Sequence, residues 1–251
     1  MVQSVKKSRG FLTAVSFLTR IPVRHRKEPE MGAAAPWFPV VGLLIGFVVG
    51  IITKTIGDLT SPLLGASCGV VTGILITGAF HEDGLADVAD AIVGGWTPDE
   101  RLKILKDPRH GTYGVVALVG SILVRTLALG SIPSGSVIIA SVTAHGISRA
   151  SALSLMLGSK PARSSGLGAD YVRKIRPVAG WTSVLLSLVL TTLLVGYRST
   201  TFITLASIAL TLMINLWARS KISGVSGDVL GTTQQINEIA VFLILAVITN
   251  H

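Results

Sequence analysis

An all-α, polytopic membrane bundle of about seven helices is the fold this chain predicts, on three observations. First, the composition is that of the membrane class. Of 251 residues, 49% are hydrophobic and only 14% charged, and the mean hydropathy is +0.66; a soluble domain carries about 25% charged residues. Second, residues 31–53, 59–80, 177–197 and 199–218 are uncharged stretches of span length, a span needing about 20 apolar residues. Stretches 113–132 and 137–157 add two more, interrupted only by Arg125 and by His145 and Arg149. Third, the basic residues are sorted between alternate loops, as membrane topology requires.

The elements follow in order. Residues 11–18 are too short to cross, and Thr19-Arg20-Ile21-Pro22 offers no small-residue cleavage site, so an interfacial or re-entrant helix is expected there. In the first span Gly42, Gly46 and Gly50 form overlapping G-x-x-x-G steps, the mark of a closely packed neighbouring helix. Trp37, Tyr113, Trp181, Tyr197 and Trp217 stand near span ends, where an aromatic belt belongs. The stretch 239–250 completes a seventh span if Asn237 and Glu238 lie near the interface. With no internal repeat or low-complexity segment, residues 1–251 form one membrane domain.

Orientation follows from charge. With seven spans, the N-terminal segment and loops 81–112, 158–176 and 219–236 share one side and hold 18 of the 22 Lys and Arg. Only Lys54 and Arg198 face the other side. The positive-inside rule places the large loops in the cytoplasm. The net charge of +9 follows this loop pattern, so anionic membrane lipid is the expected partner and nucleic acid is not. The one cysteine, Cys68, excludes a disulfide framework and a cysteine metal site. A homo-oligomer is left open.

The most informative run is His81-Glu82-Asp83-Gly84-Leu85-Ala86-Asp87-Val88-Ala89-Asp90. Seven of the thirteen acidic residues fall between Glu82 and Asp107. On a helix, Asp83, Asp87 and Asp90 share one face, and their repulsion weakens it by roughly 0.2–0.5 kcal/mol per pair. A hard divalent cation would offset that cost; Mg²⁺ characteristically joins a few carboxylates to substrate phosphates. The bland alternative is a solvated juxtamembrane face. The small and apolar residues between the acids argue for packing against protein instead.

Thr97-Pro98-Asp99-Glu100 is a capping pattern opening a short amphipathic helix that Pro108 ends. Arg109, His110, Gly111, Thr112, Tyr113 and Gly114 then form a basic, glycine-containing approach to the next span. Backbone N–H groups at such a helix start, with an arginine, can hold phosphate, although an ordinary surface connection would look similar. Arg125, His145 and Arg149 are costly inside a span and need a cavity or a partner. His145 and Arg149, one turn apart, are either a buried structural pair or part of a pocket for an anionic substrate. Asp228, between Gly227 and Gly231, could close the metal site from the other end of the chain, or mark only a turn.

Taken together, these residues resemble the cobalamin synthase family, the adenosylcobinamide-GDP ribazoletransferases. The likeness rests on Phe17-Leu18-Thr19-Arg20-Ile21-Pro22-Val23, on Trp37-Phe38-Pro39-Val40-Val41-Gly42 and above all on the acidic run. Lys106-Asp107-Pro108-Arg109-His110-Gly111-Thr112-Tyr113-Gly114 and Gly227-Asp228-Val229-Leu230-Gly231 complete it. Pro108 and His110 depart from the expected serine and aliphatic residue.

The resemblance implies the last step of cobalamin nucleotide-loop assembly in a prokaryotic cell inner membrane, with the active site facing the cytoplasm. A hydroxyl of α-ribazole, or of its phosphate, attacks the phosphorus on the corrinoid arm and GMP leaves. Such phosphoryl transfer depends on positioning and charge neutralisation. Glu82, Asp83, Asp87 and Asp90 are then expected to hold Mg²⁺, with Asp228 a further ligand. One of these acids, not identifiable from the sequence, would be the base. Arg109 and the backbone from Gly111 to Gly114 are expected at the diphosphate, and His145 and Arg149 in the pocket. A CDP-alcohol phosphotransferase is the nearest alternative, but its D-G-x-x-A-R run is not matched, since Asp87 and Val88 stand at the last two positions. A polyprenyl transferase would also use membrane carboxylates and Mg²⁺. A transporter would more often place its acids at the bilayer midplane.

Overall fold

The structure, a computed structural model, describes residues 2–24, 31–162 and 175–250. It is helical almost throughout, with one isolated bridge between Pro161 and Val225 among the described residues. Helix α1 spans Val2–Leu18 and the short α2 spans Met31–Ala34. A 3₁₀ turn, Ala35–Trp37, then leads into α3, Phe38–Leu59. Next come α4 (Pro62–Thr77), α5 (Phe80–Gly94) and α6 (Pro98–Ile104). The chain continues with α7 (Thr112–Gly130), α8 (Val137–Gly158), α9 (Pro177–Ile222) and α10 (Gly227–Thr249). Of the basic loop 158–176, residues 163–174 lie outside the described residues.

Small residues decide which helices touch. A Cβ on Gly46 or Gly50 would lie 2.8 Å from Val142 Cα or 2.7 Å from Ile138 Cα, so the G-x-x-x-G steps of α3 seat it on α8. A second stripe escaped the sequence reading. Gly65, Gly69 and Gly73 of α4 rest on Val49, Thr53 and Gly57 of α3, with Gly65 against the Gly57 backbone. Where lipid supplies no hydrophobic drive between helices, such close backbone approach is what associates them.

Helix α4 opens with Ser61 accepting a hydrogen bond from the Leu64 N–H, and Pro62 occupies its first turn. It ends at Gly78 (φ 66°), followed by Ala79 (φ 59°). These consecutive left-handed residues, the first suited to glycine, turn the chain by 91° into α5. Arg20 fastens the bend: its N–H donates to the Ile76 carbonyl at 2.7 Å and its guanidinium to the Gly78 carbonyl. With four carboxylates in its 15 residues, α5 is too charged to lie in lipid and turns aside from the span.

The expected seven spans are redistributed. Four helices, α7, α9, α10 and the segment Gly32–Leu59, are long and apolar enough to cross a membrane, or five with the bent pair α4–α5 taken as one. The stretch 59–80 becomes the 16-residue α4 plus the bend. Helix α8 matches the stretch 137–157 and adds Gly158, but it is buried along most of its length, and its polar side chains face protein. The stretches 177–197 and 199–218 run together as α9, whose 46 residues would extend about 69 Å if straight. Gly196 breaks it at φ 78° and ψ 164°, a region open essentially to glycine alone. Val184 and Leu188 before the break line one groove with Thr204 and Ile208 after it, so α9 is a hairpin of two arms.

The last span also differs. Helix α10 begins at Gly227, and Glu238 sits in its middle, 1% exposed, with Asn237 equally buried. Neither lies at an interface. Asn237 donates to the Thr233 carbonyl of its own helix and, at 3.4 Å, to Thr211 of α9, whereas Glu238 draws its charged partners from other helices.

Candidate active site

Two glycines bring the acidic run to the C-terminal motif. A Cβ on Gly84 would lie 2.8 Å from the Asp228 carbonyl oxygen, and one on Gly231 would lie 3.2 Å from that of His81. The Thr232 hydroxyl donates to the Gly84 carbonyl at 2.9 Å across this crossing of α5 and α10. Ser226 caps α10 by accepting from the Val229 N–H, and its hydroxyl donates to Asp228 Oδ2 at 3.2 Å. Asp228 therefore stands beside Asp83 and Asp87.

The shared face of α5 meets residues 110–114. His110 Nε2 lies 3.4 Å from Asp83 Oδ1, and its Nδ1 lies 3.4 Å from Asp87 Oδ1. Asp83, Asp87 and His110 offer ligand atoms that all lie within 4.8 Å of one another. Burial, with the nearby Asp83 and Asp228 carboxylates, pushes the Asp87 carboxyl up to about 6. Like charges so close favour either a shared proton or a cation. The donor set fits a divalent ion, two carboxylates being what Mg²⁺ commonly takes from protein. His110, a departure from the family pattern in the sequence, offers the third candidate ligand atom.

Asp90 and Glu82, expected beside the metal, are placed elsewhere. The Asp90 carboxylate accepts the N–H of Gly111 at 2.7 Å and that of Gly114 at 2.9 Å, so it fills the anion site at the N-terminus of α7. A Cβ at Gly111 would come within 2.6 Å of Asp90, and one at Gly114 would collide with it, which is why both are glycine. Those two N–H groups, expected at a diphosphate, hold α5 to α7 instead. Thr112 and Tyr113 are exposed at the start of α7. Arg109 is exposed and commits its guanidinium fork to Asp107, at 2.9 and 2.8 Å. That pair holds the Asp107 carboxyl at about 2.

Glu82 turns into the bundle. Its Oε1 lies 3.1 Å from Arg125 Nη1, which is also 3.1 Å from Glu238 Oε1. Glu238 Oε2 receives Arg149 Nη1 at 2.7 Å and Gln234 Nε2 at 2.6 Å, and lies 3.0 Å from His145 Nδ1. Gln235 links Glu82 to Ser121. The arginines inside spans thus pair with two carboxylates, one of them a residue the sequence reading left at an interface. His145 belongs to this network, where Glu238 orients it. Arg149 reaches further, because it also lines a cavity.

That cavity has a volume of about 280 Å³ and opens beside the carboxylates. Asp83 and Asp228 lie in its wall with Phe17, Phe38, Phe80 and His81. The Lys54–Asp58–Ser134 cluster and the Asn250–Ser131 contact lie at ends of α3, α7 and α10 away from this site.

Fold and site define a polytopic helical membrane enzyme whose carboxylate centre sits at one end of the bundle. Residues 10–246 match the family described as cobalamin-5-phosphate synthase, and the chain belongs to that family. It is 34% identical to the adenosylcobinamide-GDP ribazoletransferase of Shewanella piezotolerans, over 95% of each chain. It is 36% identical to that of Vibrio cholerae, over 96% of this chain and 94% of the other. No solved structure matches it.

Proposed function

We infer that this protein is an adenosylcobinamide-GDP ribazoletransferase, which joins the corrinoid to α-ribazole or its phosphate and releases GMP. Family membership supports the reaction. The observation that supports the site is the α5–α10 crossing at Gly84 and Gly231, which sets Asp228 beside Asp83 and Asp87 at the cavity mouth. Asp83, Asp87 and His110 would hold Mg²⁺, which when bound neutralises the charge of the diphosphate. A ribose hydroxyl oxygen bonds to the corrinoid-linked phosphorus, and the bond from that phosphorus to the GMP oxygen breaks. Asp228 is our choice for the base that takes the hydroxyl proton, because it lines the cavity without belonging to the ligand triad. Arg109 would reach the diphosphate only by exchanging Asp107 for phosphate, an exchange that keeps its bidentate geometry. Asp90 and the buried Glu82–Arg125–Glu238–Arg149 network position the site.

The site faces the cytoplasm of a prokaryotic inner membrane in this reading. The distribution of Lys and Arg supports that orientation, with lipid headgroups meeting the basic loops. Purified protein in detergent, given adenosylcobinamide-GDP, α-ribazole and Mg²⁺, should release GMP and form the joined corrinoid. Absence of GMP release from a folded preparation, with Mn²⁺ as well as Mg²⁺, overturns the reading.

A further inference from the structure

The cavity walled by Phe17, Phe38 and Phe80 is apolar almost throughout, and two of its lining residues, His81 and Arg149, each carry a buried nitrogen with no hydrogen-bond partner. His81 is 5% exposed and its Nδ1 has no hydrogen-bond partner. Arg149 is 2% exposed and its Nε is likewise without one. A buried donor left unmade costs about 1–3 kcal/mol, and an arginine Nε–H can only donate. Both residues line this cavity with Asp83 and Asp228. The aromatic walls are ordered: Phe17 stacks on Phe38 with centroids 5.6 Å apart and meets Phe80 edge-on at 5.1 Å.

We propose that this cavity is the subsite for the benzimidazole-type base of the incoming nucleoside, with His81 and Arg149 as its polar contacts. The proposal rests on the function inferred above and assigns one of its substrates to a place. Shape and polarity decide between the reactants. About 280 Å³ lies just below the roughly 300–1,000 Å³ of small-molecule sites, so the corrinoid ring is excluded. A guanine base carries several donors and acceptors around its edge, and a phenylalanine-lined wall would leave most of them unpaired at a cost. A dimethylated benzimidazole attached through one ring nitrogen presents two flat apolar faces and a single acceptor, its other ring nitrogen. That single acceptor needs one donor, and His81 and Arg149 are the nitrogen-bearing side chains in the lining. With the base seated there, its ribose points toward Asp83 and Asp228 at the mouth.

The test is direct binding of α-ribazole to the full-length protein in detergent, without metal or corrinoid, followed by calorimetry. Wild type should bind. Ala152→Leu, which fills the cavity from α8, should weaken α-ribazole at least tenfold and raise its KM while leaving the KM for the corrinoid-GDP unchanged. Phe17→Leu keeps the wall apolar but removes a stacking face, and should weaken binding several-fold without requiring any larger volume. A loss confined to corrinoid-GDP or GMP in these variants would assign the cavity to guanine and overturn the proposal, as would unchanged α-ribazole binding in both. Binding that responds as expected in a protein releasing no GMP would retain the subsite and reject the inferred reaction.

Discussion

Arg149 Nη1 donates to Glu238 Oε2 at 2.7 Å inside the bundle, where both side chains are almost wholly buried. The same carboxylate faces Arg125 and His145, so one acid neutralises charge from α7 and α8 at once. Removing one partner of a buried pair leaves the other uncompensated. Glu238→Ala should therefore destabilise the protein by about 3–5 kcal/mol, read as a lowered melting temperature in detergent. Adding Arg149→Met should recover part of that loss; an equal or larger deficit in the double variant would contradict the charge argument.

The carboxylates of α5 should separate by function. Asp83→Asn and Asp87→Asn are expected to abolish turnover with the fold intact, since each removes a repelling charge. Asp90→Ala should instead cost about 0.5–2 kcal/mol of stability, the usual value of a lost helix cap, because the carboxylate holds the N–H groups of Gly111 and Gly114. Asp99→Asn, on the exposed first turn of α6, should be nearly silent. Full activity of Asp87→Asn across Mg²⁺ concentrations would remove it from the metal site.

This division shows what the sequence could carry. The i, i+4, i+7 spacing of Asp83, Asp87 and Asp90 correctly predicts a common face, and that face does meet the segment 110–114. Spacing says nothing of what stands opposite each acid, so from the sequence Asp90 and Glu82 are indistinguishable from the candidate ligands. Glu238 was illegible for a related reason. A lone acid at the edge of an apolar stretch reads as interfacial until its arginine partners, about ninety and more residues earlier in the chain, are seen to converge on it. The glycines at 84, 111, 114 and 231 had visible positions, but their purpose is steric contact with a distant element.

The pH response of Asp87 follows from its carboxyl being raised from 3.8 to about 6. Across that window the folded, metal-free protein binds more protons than the unfolded chain, so Asp87 makes stability fall as pH rises from about 4 to 6. Asp87→Asn should flatten that slope. Because a ligand carboxylate must be deprotonated, divalent metal affinity should weaken as pH drops below about 6. A metal affinity independent of pH from 5 to 7 would place the ion elsewhere.

Arg109 can be separated from its local partner. If it engages the diphosphate, Arg109→Ala should lose about 1.5–3 kcal/mol of transition-state binding, measured from kcat/KM. Arg109→Lys should recover only part, a point charge being unable to reproduce the fork. Asp107→Asn, which frees the guanidinium, should then keep or raise kcat/KM. Lys103→Ala on the exposed face of α6 is the control, whereas Arg101 is unsuited because it donates to the Trp96 carbonyl. Equal losses in Asp107→Asn and Arg109→Ala would mean that the pair only shapes the loop.

Topology can be read by thiol labelling in a Cys68→Ser background. Arg198 is exposed beside the Gly196 break of α9, whereas Lys160 and Lys221 flank the end that carries Asp228. If the acidic site faces the cytoplasm, an impermeant maleimide added to intact cells should label Arg198→Cys and spare Lys160→Cys and Lys221→Cys until the membrane is permeabilised. The hairpin form of α9 makes the same demand independently, since its two arms must return the chain to the side from which it left. Labelling of Lys221→Cys from the periplasm would invert the bundle and put the carboxylates on the wrong side of the membrane for a cytoplasmic nucleotide substrate.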